Sequence, residues 1–189
     1  MRVSRETATA HRAAMVTAAG RLFRRHGIGG VGVAEITRAA GLTHGGFYGH
    51  FASKEALARE ALAAAFAEGL ERLRTAPDLA AWIRGYLSRA HRDAPEEGCV
   101  MVALSAEANR GDAELAAIWR DGFEAFVIAI AGRLPRGGEE RHTRQVAISL
   151  IALSVGAMAL ARATAAVSPE ASDEILRTAR AQALALAAA

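Results

Sequence analysis

The four prolines of this chain, Pro77, Pro95, Pro135 and Pro169, all stand where helical patterns break. The β-branched and aromatic runs that build strands are nearly absent, and about a quarter of the residues are alanine, far above ordinary usage. Such a chain is expected to be all-α. Thr75-Ala-Pro-Asp and Ser168-Pro-Glu have the form of helix starts, with proline early in the first turn and an acid beside it. Leu134-Pro-Arg-Gly-Gly138 reads as a stop followed by a turn. The pattern predicts about nine helices, over 5–26, 33–40, 43–51, 53–75, 78–93, 99–110, 112–134, 139–165 and 168–186. In the first, Ala14, Ala18, Leu22 and Phe23 form the inner stripe and Gly27 is the stop. The alanine-rich tail 183–189 is expected to fray. The first three helices close a small head, residues 1–52, and the others make a body, residues 53–189.

At 189 residues, the chain has the size of one large domain or of a small domain joined to a mid-sized one. The lone Cys99 excludes an internal disulfide framework and a four-cysteine zinc site, and no metal is expected. No basic, apolar, small-residue leader opens the sequence. The longest uncharged apolar run, 146–161, is shorter than the roughly 20 residues that span a bilayer. A soluble, cytoplasmic protein without a membrane partner is therefore expected. The net charge of +3 conceals an asymmetry: residues 1–54 carry +6, so the remainder carries −3. His11, His26, His44 and His50 also lie in the basic segment. This division suggests a polyanion at one end only.

The most informative stretch runs from Val33 to Phe51. Ile36 and Ala40 share one face of a short helix, and Gly41 ends it where a left-handed residue is needed. Leu42 plugs the corner, Thr43 is a good N-cap for the next helix, and Phe47 and Phe51 bury that helix. Two short helices around a glycine corner make the helix-turn-helix arrangement, whose second helix enters the DNA major groove. Gly45, Gly46 and Gly49 each cost roughly 1 kcal/mol relative to alanine inside a helix. A core helix gains nothing from that, whereas a helix pressed against a phosphate chain or base edge does. Tyr48 and His50 are placed to reach phosphate oxygens. Lys54 stands in the first turn of the following helix, where its charge opposes the dipole and a phosphate would resolve the conflict.

These residues resemble the head of the TetR/AcrR family of bacterial transcriptional regulators. The resemblance rests on Ala40-Gly41-Leu42-Thr43, Gly46-Phe47-Tyr48, His50-Phe51 and Ser53-Lys54-Glu55, with Phe23-Arg-Arg-His-Gly27 upstream. It covers about the first third of the chain; the rest matches only in length and helix order. It implies an all-α fold with an N-terminal three-helix helix-turn-helix DNA-binding domain and a C-terminal helical bundle for ligand binding and dimerisation. Carried over by position, Thr43, Tyr48, His50 and Lys54 are expected phosphate contacts and His44 with Gly45 the base-facing part, with Gly46 also in the DNA-binding set. Thr37 stands where the family usually has alanine, and its hydroxyl must bond back to its own helix. Gly32 and Val33 replace the usual Ser/Thr entry, and Gly49 often has an aromatic counterpart. Sequence discrimination is then expected from His44, the Thr43 methyl group and DNA shape. Arg2, Arg5 and Arg12 serve either as a contacting arm or as a solvated tail.

In the body, the run 146–161 is apolar all round and must be covered on every side. Ser149, Ala152, Gly156 and Ala159 would let another helix approach closely. The family pairs its last two helices with their counterparts, which implies a homodimer; full burial within one chain is the alternative. The family also implies a small-molecule effector that releases double-stranded DNA, and no cofactor. Candidate pocket residues are the large side chains that interrupt the alanine background: Trp82, Tyr86, Met101, Leu104, Trp119, Phe123, Phe126 and Met158, each of them equally a candidate for core packing. The lack of acids among them leans toward an apolar or aromatic ligand. Cys99, expected to begin a helix after Glu96-Glu-Gly98, is either a small buried hydrophobe or a redox-sensing thiol. The expected function is thus a ligand-responsive repressor on a palindromic operator. The alternatives are a redox- or electrophile-sensing regulator acting through Cys99, or a small helical enzyme. No phosphate loop, metal-spaced cluster or nucleophile–base pair supports the enzyme, and Glu107, Asn109 and Arg110 read as a solvated helix edge.

Overall fold

The computed structural model describes residues 5–135 and 140–188, and at His44 the backbone alone. Among them are nine α-helices, two short 3₁₀ helices and no strand. The helices are α1 (Arg5–His26), α2 (Val33–Ala39), α3 (Lys54–Thr75), α4 (Leu79–Tyr86), α5 (Arg89–Asp93), α6 (Val100–Ala108), α7 (Ala113–Ala131), α8 (Glu140–Thr164) and α9 (Pro169–Ala188). The 3₁₀ helices are His44–Gly49 and Pro95–Glu97. Gly27 takes the left-handed conformation (φ 76°) that stops α1, and Gly41 (φ 72°) turns the corner after α2.

Most starts are capped as their side chains dictate. The Ala56, Ala81 and Leu115 N–H groups donate to Ser53, Asp78 and Asp112, which begin α3, α4 and α7. Pro169 opens α9 as predicted, whereas Pro77 lies outside α4, because Asp78 is the cap. The single helix predicted over 78–93 is two. Ser88 accepts from the His91 N–H at 3.2 Å and donates to the Gly85 carbonyl at 2.7 Å, and this local exchange ends α4 and starts α5. The tail does not fray at Ala183, whose side chain is fully buried on α9.

α3 joins head to body. Leu57, Ala58 and Ala61 pack in the head; Phe66, Leu70 and Leu73 pack in the body, where α7 lies along the helix. The most extensive helix pairing is α8 with α9. The apolar run 146–161 is only part of α8, which at 25 residues is long and apolar enough to cross a membrane by length and composition. Here one face, including Leu150, Ile151, Ser154 and Met158, is buried, while Ile148, Ser149, Ala152, Gly156, Ala159 and Leu160 are exposed.

Candidate nucleic-acid interface and body cleft

The head is held by side chains that point inward from three directions. Met15, Ala19 and Phe23 of α1 meet Ile36 of α2, and Phe47 and Phe51 complete the cluster, none more than 3% exposed. The Leu42 N–H donates to the Thr37 carbonyl at 2.8 Å and closes the corner. Thr37 is buried and its hydroxyl donates back to the Val33 and Ala34 carbonyls, both at 3.1 Å, as a hydroxyl in that contact must.

The second helix of the pair is a 3₁₀ turn rather than an α-helix. Three glycines in six residues weaken it, and Thr43 makes no side-chain cap bond. Its outer face shows Thr43, Gly45, Tyr48 and Gly49; Tyr48 is 66% exposed, with its ring edge-on to the buried Phe47. A Cβ at Gly45 or Gly49 would meet nothing within 4 Å, and neither has positive φ. Nothing inside the chain therefore requires glycine there. Gly46 is half-buried, with the Thr43 hydroxyl 3.8 Å from where a Cβ would stand. His50 follows, 6.2 Å from the His11 ring of α1 in an edge-to-face contact. The side chain of His44, like Arg2, lies outside the described residues.

Two cations differ from their expected use. The Lys54 ammonium donates to the Ile28 and Val31 carbonyls at 3.0 and 3.2 Å. Its conflict with the helix dipole is thus met by the chain's own carbonyls. Arg12 pairs with Glu60 and lies over the Phe51 ring at 4.5 Å, so it is turned into the head. Arg5 remains exposed at the start of α1.

Head and body are tied by residues that local patterns do not reveal. Glu107, expected at a solvated edge, is half-buried and accepts the Ile28 N–H at 2.7 Å. A Cβ at Gly27 would stand 2.3 Å from its carboxylate. Arg24 is buried and donates to the Glu96 carbonyl at 2.7 Å, and burial lowers its pKa against the attraction of Glu68.

Of the eight expected pocket residues, Trp82, Tyr86 and Phe126 are brought together around a cleft between α3, α4 and the start of α6. Met101, Leu104 and Met158 are buried in the core; Trp119 packs edge-on to Phe66, and Phe123 is half-buried against the core. The cleft has an outer part of about 410 Å³ and an inner space of about 40 Å³. Ala65, Gly69, Arg72, His91 and Cys99 also line it and were missed. The first three fall on one face of α3 at helical spacing, the only sequence signal that could have found them.

His91 organises the inner end. A carbonyl can only accept, so His91 Nδ1, 2.7 Å from the Tyr86 carbonyl, carries the proton, and Nε2 accepts the Cys99 N–H at 3.0 Å. The ring is therefore neutral. Burial pushes its pKa below the ordinary imidazole value; the Tyr86 carbonyl opposes this, and Arg162 and Arg72 reinforce it. The unfolded imidazole titrates near about 6.5. This contribution to stability is then fully present above that pH and is lost as pH falls below it. Thermal melts between pH 8 and pH 5.5 should show a fall that is smaller in His91→Gln.

An all-α head in which two short helices flank a glycine corner, the second with an exposed face, has the helix-turn-helix arrangement found in DNA-binding regulators. Residues 16–61 match the family model described as bacterial regulatory proteins, tetR family. Residues 16–61 are thus similar to the N-terminal domain of the tetR family of bacterial regulatory proteins. No curated protein matches the chain significantly. Among solved structures, it resembles the reduced form of NemR from E. coli, with 24% identity, 94% of this chain and 98% of that one covered, and a TM-score of 0.78. A TetR transcriptional regulator from Chloroflexus aurantiacus gives 22%, 95% of each chain and 0.78. A TetR-family regulator from Cytophaga hutchinsonii gives 20%, 98% of each chain and 0.74. At these identities the likeness of the body is one of fold.

Proposed function

We propose that this chain is a homodimeric repressor that binds a palindromic operator in double-stranded DNA and releases it when a small molecule enters the body. The observation that carries the reading is the exposed face of the 44–49 helix, anchored from behind by Phe47 and Phe51. Thr43, Tyr48 and His50 contact phosphates; Gly45, Gly46 and His44 face the bases. Lys54 supports them from behind through the Ile28 and Val31 carbonyls. The exposed α8 stripe, with Ile148 at 36% and Leu160 at 59% exposure, pairs with its copy in a second chain. A twofold pair of heads then reads two half-sites. The protein acts in the cytoplasm, needs no cofactor and is not an enzyme. Its effector favours a state whose heads are wrongly spaced for DNA.

The test is a gel shift with the DNA upstream of the protein's own gene. A discrete complex whose affinity falls steeply with salt is expected, because phosphate contacts release counterions. No complex at low salt would overturn the reading. The glycines give a second check. Gly45→Ala and Gly49→Ala should each raise stability by about 0.4–1 kcal/mol, since alanine restricts the unfolded chain. Each should also weaken operator binding, because the added methyl groups meet DNA. Alanine variants that melt higher and bind as before would show that the glycines do not serve close approach. A redox reading has Cys99 at the cleft wall in its favour, but the residue is only 9% exposed. Oxidant-sensitive binding that persists in Cys99→Ser would dismiss it.

A further inference from the structure

The cleft beside α4 has a chemical character that its shape alone does not give. Three rings define it: Trp82 lies 5.0 Å from Tyr86 at an interplanar angle of 38°, and Tyr86 lies 4.6 Å from His91. Between and around them Ala76, Ala81, Ala90, Ala94 and Gly85 leave the outer part open. The Tyr86 hydroxyl is shut off from solvent with the Cys99 thiol, a weak hydrogen-bond partner, beside it, an arrangement that leaves a buried donor poorly satisfied.

The cleft is lined by one arginine and one glutamate, and the glutamate is already paired. Arg72 lines both parts from an exposed position and forms no ion pair among the described residues. Glu97, at the rim, is engaged by Arg21 at 2.6 Å. Behind Cys99, the half-buried Arg162 donates to the His91 and Arg92 carbonyls, at 2.8 and 3.2 Å, and its charge is only weakly balanced by the more distant Glu96. A Cβ at Gly98 would crowd that guanidinium, His91 Nε2 and the Pro95 carbonyl. His91 is held neutral by its two hydrogen bonds. A cation would meet Arg72 and Arg162 with no free acid; an anion meets an unpaired guanidinium.

We infer that this cleft is the effector site and that it takes a flat aromatic carboxylate bearing an oxygen at its far end. The ring lies against Trp82, the carboxylate pairs with Arg72, and the distal oxygen accepts from the Tyr86 hydroxyl. This inference rests on the small-molecule reading above and adds the ligand's chemistry to it.

The test is calorimetry on the intact protein without DNA, with 6-hydroxy-2-naphthoate, 2-naphthoate and 6-hydroxy-2-naphthamide as probes. The hydroxy acid is expected to bind once per chain, with the amide about tenfold weaker or worse, since a charged bidentate contact is lost. Arg72→Gln should bring the acid down to the level of the amide and leave the amide unchanged. Tyr86→Phe should abolish the preference for 6-hydroxy-2-naphthoate over 2-naphthoate while melting no lower than the parent, because the hydroxyl it deletes has only the weak Cys99 thiol as a partner. Melting curves verify that both variants are folded. Equal binding of acid and amide, an Arg72→Gln variant with undiminished acid affinity, or no binding of any probe at millimolar concentration would overturn the inference. A separate gel shift divides the two ideas: an acid that binds as described yet leaves the operator complex intact refutes effector release and not the site.

Discussion

A chain carrying both Ile148→Glu and Leu160→Glu is expected to sediment as a folded monomer and to lose operator affinity by about 10²–10⁴-fold. Both side chains are exposed on α8, while the opposite face of that helix is buried against α7 and α9. The charges therefore leave the interior of the chain untouched. Between them lie Ser149, Ala152, Gly156 and Ala159, and a Cβ at Gly156 would meet nothing within 4 Å. Glycine in the middle of a long helix costs about 1 kcal/mol relative to alanine. No neighbour in the chain accounts for it, but a second helix at close range would. The affinity loss follows from linkage: in a dimer the second head binds at the effective concentration set by the first, and a monomer forfeits that advantage without losing any contact of its own. Sedimentation and anisotropy on a half-site and a full site separate the two effects. A double variant that remains dimeric places the dimer surface elsewhere.

Phe47→Ala should abolish operator binding and cost about 3–5 kcal/mol in the head, the usual range for emptying a buried phenylalanine site. Phe47 is fully buried, with Phe51 5.7 Å away and Tyr48 edge-on at 5.2 Å. It is the main anchor of a six-residue 3₁₀ helix that is too short to persist alone. α1 and α3 have further partners and should survive, so far-UV ellipticity should change little. Limited proteolysis should then cut within 41–53. Tyr48→Phe is the contrasting change: it removes one outward hydroxyl and leaves the anchor, so binding should weaken while the melting temperature holds. A Phe47→Ala protein that binds operator normally would refute the placement of this helix at the DNA.

The parts of this molecule that were legible in the sequence are those decided within a few residues. The span of α1, the stop at Gly27, the corner at Gly41 and the back-bonded Thr37 all follow from local sterics and hydrogen bonding. The cap at Ser88 obeys the same rules but hides inside an apolar, helix-like pattern. On the exposed face of the 44–49 helix, the glycines and Tyr48 stood out because they contradict what a core helix needs. The other functional features depend on groups far apart in sequence. Glu107 meets Ile28 across 79 positions and Arg24 meets Glu96 across 72, and no periodicity encodes either contact. The body cleft failed for a related reason. Large side chains mark both a cavity wall and a packed core, and only the structure shows that Trp82, Tyr86 and Phe126 do the first while Met101, Leu104 and Met158 do the second.

α6 is fastened at both extremities to other elements. At its N-terminal end the Cys99 N–H is held by His91, a ring on the cleft wall; near its C-terminal end Glu107 grips the backbone just past the left-handed Gly27. Nine residues of helix are about 13 Å of stiff rod at 1.5 Å per residue. The interior of the body and the loop that follows α1 are consequently opposite ends of one strut, anchored along its length in the core by Val100, Met101 and Leu104.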